Sequence, residues 1–197
     1  MRQPSPEELD RMWHEHATRW RDPAQALSVW DGSPPNAALL STRATGRWWD
    51  VLDRLQITLL VTREYEHLLL AATVDAGRPS LSHLPLPHPS GLAVDRTNRT
   101  VAVACTRNPN QIFELSPITN PIPRADVRPP QMSQRPLLPI RSMLYPGALY
   151  IHDLAYIAGE LYANSVGQNA VVALDGAATH RLVWWPRCVE QRGRPVI

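Results

Sequence analysis

Short apolar and alternating segments dominate the chain from residue 56 onward. Turn-forming residues separate the runs ITLLVTRE, HLLLAATV, LSHLPL, GLAVD, TVAVAC and QIFEL. Alternation of apolar and polar side chains over about four to eight residues is typical of β-strands that bury one face. The pattern therefore predicts a mainly β domain over residues 46–197.

The first 45 residues carry a different pattern, which predicts a helical N-terminal extension followed by a linker. Ser5, Pro6 and Glu8 form an S-x-x-E capping box with proline at the first helical position. The apolar residues that follow at helical spacing are Leu9, Met12, Trp13, Ala17 and Trp20. We expect this stripe to pack on the rest of the chain, and a partner protein is the alternative.

The linker is predicted over residues 31–45, where two consecutive prolines disfavour regular structure. A second short helix is predicted over residues 46–55, because apolar residues share one face there. These residues are Trp48, Val51, Leu52 and Leu55. The β pattern begins directly after this helix.

Two successive segments of the β domain resemble each other and indicate an internal repeat. The first is SGLAVDRTNRTVAVACTRNPNQIFELSP (residues 90–117), and the second is HDLAYIAGELYANSVGQNAVVALDG (residues 152–176). The matched positions include Leu92 with Leu154, Asn110 with Asn169 and Leu115 with Leu174. With HRLVWW as a further strand, each unit has about four strands in roughly 40 residues, which is the size of one β-propeller blade.

We therefore predict a partial β-propeller of about three four-stranded blades. The blades lie near residues 56–86, 90–117 and 152–186, and a proline-rich insertion occupies residues 117–147. The first blade lacks an innermost strand, and the final segment CVEQRGRPVI offers no further strand set. Because propellers have about 4–8 blades, the ring is incomplete. A truncated or fragmentary chain is the preferred explanation, and an open solenoid-like piece or a partner that completes the ring are the alternatives.

The segment IHDLAYIAGELYANSVGQNAVVALDG, with the later VWWPRCVE, resembles DUF4915, an uncharacterised bacterial β-propeller-like family. The stretch WWDVLDRLQITLLVTREYEHLLLAA is similar to the start of that family, and PSGLAVD with NQIFEL is similar to its next blade. The resemblance covers residues 46–190 and corresponds to the N-terminal portion of the family. The chain departs from the family at residues 146–148, where Pro-Gly-Ala replaces a Thr-Gly-Asp type of turn and a carboxylate is absent. The resemblance implies a fold and a cytoplasmic bacterial setting, and it implies no activity.

The candidate ligand-binding residues are polar side chains near predicted strand ends, close to the expected mouth of the propeller channel. They are His152, Asp153, Asn164, Asn169 and Asn110. An imidazole beside a carboxylate can bind a ligand or transfer a proton, and amide and carboxylate oxygens can bind a metal ion. Alternatively, these residues close turns and bond neighbouring blades. Strand alternation also places adjacent side chains on opposite faces, unless the strand begins after them.

Composition excludes several other classes of protein. The net charge is only +2, and all 20 basic residues are scattered arginines, so we expect no nucleic-acid partner. No apolar run reaches the roughly 18 residues that a membrane span requires. Cys105 and Cys188 lack a metal-ligand spacing, which favours free thiols in a reducing compartment and predicts a cytoplasmic protein.

These patterns predict a scaffold that binds an unknown small molecule or protein. No catalytic residue is assigned and no cofactor is expected, because the chain has no nucleophile elbow, phosphate-binding loop or zinc spacing. A divalent metal has no supporting motif. The alternative is a metal-dependent hydrolase or lactonase-like propeller enzyme with its site at the channel mouth.

Overall fold

The structure, a computed structural model, describes residues 4–19, 36–106, 110–118, 122, 125–126 and 136–197. The described part of the chain is mainly β, with antiparallel sheets of two to four strands. Helix α1 spans Pro6–Thr18, and helix α2 spans Trp48–Leu55. Neither described helix has the length and apolar character that crossing a membrane requires.

Three antiparallel meanders contain most of the strands. Sheet A has the order β1-β2-β3, with bounds Leu59–Arg63, Leu68–Asp75 and Arg78–Pro85. Sheet B has the order β4-β5-β6-β7, with bounds Pro89–Asp95, Thr100–Cys105, Asn110–Pro117 and Leu137–Tyr145. Sheet C consists of β8 to β11 in chain order, with bounds Ile151–Ile157, Glu160–Ser165, Ala170–Leu174 and His180–Trp184. A short hairpin follows, formed by β12 (Glu190–Gln191) and β13 (Arg194–Pro195).

Sheets B and C pair their strands in the same register. Val103 lies between Leu92 and Phe113 in sheet B, and Ala163 lies between Leu154 and Val172 in sheet C. The same counting places Asn110, the first residue of β6, at the position of Asn169, which directly precedes β10. The residues that match in sequence therefore occupy matching places in the two sheets.

One prediction about sheet B needs correction. The segment 117–147 was predicted to be a proline-rich insertion, but β7 lies within it and pairs with β6 along its whole length. Pro139 is accommodated because β7 is an edge strand and the register shifts beside it, between Glu114 and Leu115. The insertion is therefore shorter than predicted, and most of residues 119–135 lie outside the described ranges.

The predicted linker also contains regular structure. Residues Ala37–Leu40 form a 3₁₀-helix, whose first turn is stabilised by a hydrogen bond of 2.9 Å from the amide N of Ala38 to Oδ1 of Asn36. The two consecutive prolines at positions 34 and 35 lie outside the described residues. Helix α2 lies where the apolar pattern predicted it and contacts β2.

Helix α1 packs on its own chain, as expected. Its capping box is present, since the amide N of Glu8 donates to Oγ of Ser5 and the amide N of Ser5 donates to the carboxylate of Glu8. Trp13 is the buried residue of its apolar stripe. The main-chain oxygen of His16 accepts a 2.9 Å hydrogen bond from the amide N of Ala148. Trp20, the last residue of the predicted stripe, lies outside the described residues.

Two clusters of buried apolar residues join the three sheets. The cluster between sheets B and C includes Ala93, Ala104, Ile112, Leu154, Ala163 and Val172. The cluster between sheets A and B includes Leu69, Leu86, Val103 and Leu115. The first strands of sheets B and C, β4 and β8, contact each other directly. A Cβ added to Gly91 would lie 2.5 Å from Cα of Asp153, so only glycine permits this approach.

We predict that Gly91→Ala lowers the free energy of unfolding by about 2 kcal/mol or more, because the added methyl group forces β4 away from β8. Gly176→Ala is the matched control, since a Cβ there meets nothing within 4 Å. Urea denaturation of both variants measures the difference. An equal stability of the two variants would show that the contact of β4 with β8 is looser than described.

Candidate functional site

A β-bulge near the start of β8 brings three of the candidate residues together. The register shifts between Ile151 and Leu154, so that His152 and Asp153 lie opposite the single residue Asn164. The side chains of all three residues of the bulge are exposed. Because a bulge interrupts the alternation of side chains, the constraint expected from a regular strand does not apply to this pair.

The side chain of Asn164 holds the backbone of the bulge. Its Oδ1 accepts hydrogen bonds from the amide N of His152 (2.9 Å) and from the amide N of Asp153 (2.6 Å). One carboxylate oxygen of Asp153 accepts from the amide N of Leu154 at 2.9 Å. The imidazole of His152 has no hydrogen-bond or ionic partner among the residues that the structure describes. The bulge therefore presents a free imidazole and a partly engaged carboxylate from a backbone that Asn164 fixes.

Asn110 lies at a different place and is 1% exposed. Its amide nitrogen donates to the main-chain oxygens of Gly147 and Tyr145, the latter at 3.4 Å. Its Oδ1 accepts from the amide N of Tyr150 at 3.1 Å. Asn110 thus anchors the loop between β7 and β8. The last residue that it holds, Tyr150, lies two positions before His152.

Asn169 ends the 3₁₀-helix Val166–Gln168 in a left-handed conformation, with φ of 49°. Asparagine tolerates this conformation better than most residues. Its Nδ2 donates a 2.6 Å hydrogen bond to the main-chain oxygen of Val196. The structure therefore groups His152, Asp153 and Asn164, and it places Asn169 against the segment that follows β13.

A row of hydrogen bonds leads across the three sheets to the bulge in β8. Oγ1 of Thr62 in β1 donates to the main-chain oxygen of Ser90 at 2.7 Å. Oγ of Ser90 in β4 donates to the main-chain oxygen of Ile151 at 3.1 Å. Strand β4 has a register shift at the position that matches the bulge of β8. Within the described residues, the row ends at β8, where His152 and Asp153 are exposed.

A second polar group, which the sequence analysis did not predict, lies between sheets A and B. The amide N of His88 donates to Nδ1 of His67 at 3.2 Å, and the two rings meet edge to face with centroids 4.2 Å apart. Oγ1 of the buried Thr106 donates to Oε1 of Glu64 at 2.8 Å. Both histidines have positive φ, and no spacing in the sequence signals their contact. In the described ranges, no group of three or more His, Cys, Asp or Glu residues could hold a metal ion.

The titration of His180, in β11, is shifted by its environment. Burial lowers the pKa of His180 below its ordinary value, and the nearby carboxylate of Asp175 opposes this effect. Nε2 of His180 lies 3.3 Å from Nε2 of Gln168, which is buried. The folded chain therefore favours the neutral imidazole.

We predict that His180 makes the fold sensitive to acid. Because its pKa is lower in the folded state, the unfolded state binds the proton first, so stability is full above the unfolded pKa of about 6.5 and falls below it. Urea denaturation at pH 8 and pH 5 should show a smaller loss of stability in His180→Asn than in the wild type. The control is His83→Asn, at an exposed position of β3, which should retain the wild-type pH dependence.

We further predict that the side chains of Asn110 and Asn164 contribute differently to the free energy of unfolding. Asn110→Ala should lower the free energy of unfolding by about 3 kcal/mol, because it leaves buried main-chain groups without partners. Asn164→Ala should cost about 1 kcal/mol, since water can reach the exposed bulge. Chemical denaturation tests the order, and an equal cost at the two positions would contradict it.

Comparisons with known proteins identify a family but no activity. The profile of a family described as "Domain of unknown function (DUF4915)" matches residues 46–193. No curated protein matches the chain. Among solved structures, a chain from "Crystal structure of Nidogen/Laminin Complex" is similar with 14% identity and a TM-score of 0.37. The similarity covers 66% of this chain and 47% of that chain, so this protein spans about half of that chain's length. Similarity at this level supports no conclusion about function.

Proposed function

The chain belongs to the DUF4915 family, and we propose that it is a partial β-propeller that acts as a ligand- or protein-binding scaffold. The binding rim in this proposal is the bulge of β8, where His152 and Asp153 are exposed side by side. The observation that carries the proposal is the pair of hydrogen bonds that links the edge strands β1, β4 and β8 and ends at this bulge.

Three features support the propeller arrangement. Each sheet is an antiparallel meander of three or four consecutive strands, as propeller blades are. Sheets B and C have the same register and a bulge at the same place. The apolar clusters lie between successive sheets, and β4 contacts β8. Sheets A, B and C are then neighbouring blades, and β1, β4 and β8 line the channel. In this arrangement the strand that sheet A lacks is the outermost one, and not the innermost one that the sequence predicted.

The chemistry of the bulge supports a binding rim. His152 supplies a hydrogen-bond donor and an acceptor, and Asp153 supplies an anionic acceptor. Asn164 fixes the backbone beneath both residues, so a ligand does not have to order that backbone when it binds. Bulges are enriched next to binding and active sites because they redirect side chains in this way. Asn110 and Asn169 serve as anchors of the flanking segments.

A cytoplasmic location is part of this proposal. Cys105 is buried and Cys188 is exposed, and both are free thiols. Burial raises the pKa of the Cys105 thiol, which keeps it protonated and inert. Free cysteines are typical of proteins in a reducing compartment.

The binding rim can be tested by thermal stabilisation. A library of metabolites and amino acids would be screened for compounds that raise the melting temperature of the full chain. A ligand present at about 100 times its dissociation constant adds about 2.7 kcal/mol to the stability, which is a shift of several degrees. We expect His152→Ala and Asp153→Ala each to lower that shift by more than half. His83→Ala, which removes an exposed imidazole from β3, should leave it unchanged.

Several results would count against the rim. If every stabilising compound acts equally on the wild type and on both variants, the binding site lies elsewhere. A stabilisation by a divalent metal ion alone that both variants abolish would instead favour the hydrolase-like enzyme. This second function is considered because one bulge exposes both an imidazole and a carboxylate.

A further inference from the structure

A cavity of about 430 Å³ lies between helix α2 and sheet A. Its floor consists of apolar side chains that strand pairing places on one face of the sheet. They are Leu59, Val61, Leu70, Ala72 and Leu81. The opposite face of sheet A, which carries Leu60, Leu69 and Leu84, packs against sheet B. The cavity therefore lies on the side of sheet A that sheet B does not cover.

The first turn of α2 forms one wall of the cavity. Trp48 and Trp49 both line it, with ring centroids 6.4 Å apart and an angle of 72° between the rings. Trp48 is 41% exposed, whereas Leu52, one turn later, is 4% exposed. Leu52 is the buried residue of this helix, and its first turn lies beside the open space. Two aromatic rings at this angle offer both a face and an edge to a planar guest.

The opposite wall is polar and comes from residues 42–45, within the segment predicted to be a linker. Arg43 is exposed and makes no hydrogen bond or ion pair with the described residues. The indole N–H groups of Trp48 and Trp49 likewise donate to no described residue. The cavity therefore combines an apolar floor, aromatic rings and a guanidinium that has no partner in the described part of the chain.

We propose that this cavity binds a small organic acid with an apolar, aromatic body. The body lies on the sheet A floor beside the Trp48 and Trp49 rings, and the carboxylate pairs with the guanidinium of Arg43. The volume falls in the range of about 300–1,000 Å³ that is usual for small-molecule sites. This site is separate from the binding rim on sheet C.

The proposal is tested by titrating the full chain with 2-naphthoate and with its neutral analogue 2-naphthamide, using calorimetry. We expect saturable binding of both probes, with naphthoate about tenfold tighter because its contact with Arg43 is charge-assisted. Arg43→Gln should weaken naphthoate about tenfold and leave naphthamide unchanged. Trp48→Ala should weaken both probes.

Matched controls make each result decisive. Arg54→Gln removes an exposed arginine of α2 that does not line the cavity, and it should bind both probes like the wild type. Thermal melting shows whether Trp48→Ala is folded, and Trp48→Leu replaces it if it is not. His152→Ala should bind naphthoate normally, which separates this site from the binding rim. The proposal is wrong if naphthoate shows no saturable binding at millimolar concentration. It is equally wrong if Arg43→Gln affects both probes alike, or if Arg54→Gln weakens naphthoate as much as Arg43→Gln does.

Discussion

The close approach of β4 and β8 is the constraint on which the rest of the structure depends. The backbones meet where Gly91 lies against Asp153, at a distance that leaves no room for a side chain. This approach lets the hydroxyl of Ser90 reach the main chain of Ile151, and it lets the apolar cluster between sheets B and C close. It occurs at the bulges of both strands, because a bulge tilts the backbone locally. The same irregularity that joins the sheets therefore turns His152 and Asp153 toward solvent.

The asparagine side chains near the bulge bind main-chain groups of the protein, whereas the side chains of His152 and Asp153 face solvent. Asn110 uses its nitrogen and its oxygen on main-chain groups of one loop, so its amide is fully committed inside the protein. Asn164 commits its oxygen to the two amide groups that the bulge leaves unpaired. What remains for a ligand is the imidazole of His152 and the outer carboxylate oxygen of Asp153. The candidate site thus consists of the side chains of His152 and Asp153, and Asn164 positions the backbone that carries them.

Local patterns in the sequence predicted most helices and strands, but they did not predict contacts between residues that are distant in the chain. The capping box at Ser5, helix α2 and the matching of Asn110 with Asn169 follow from residue spacing alone. Strand β7 was missed because Pro139 indicates a break, although an edge strand tolerates a proline. The contact of His67 with His88 joins two residues with positive φ that lie 21 positions apart, and local patterns do not indicate which distant residues meet.

The cavity beside sheet A and the bulge of β8 differ in chemistry, and this difference follows from what surrounds each of them. Helix α2 covers part of sheet A but buries only Leu52, so an apolar cavity remains beside Trp48 and Trp49. The bulge of β8 leaves polar groups exposed beside the contact with β4. A ligand binds to an apolar cavity mainly because its hydrocarbon surface is removed from water. Arg43 then favours those apolar ligands that carry a carboxylate. The bulge has little apolar surface, so its affinity must come from hydrogen bonds that a fixed backbone makes less costly. The two surfaces therefore suit different ligands, and occupancy of one does not require occupancy of the other.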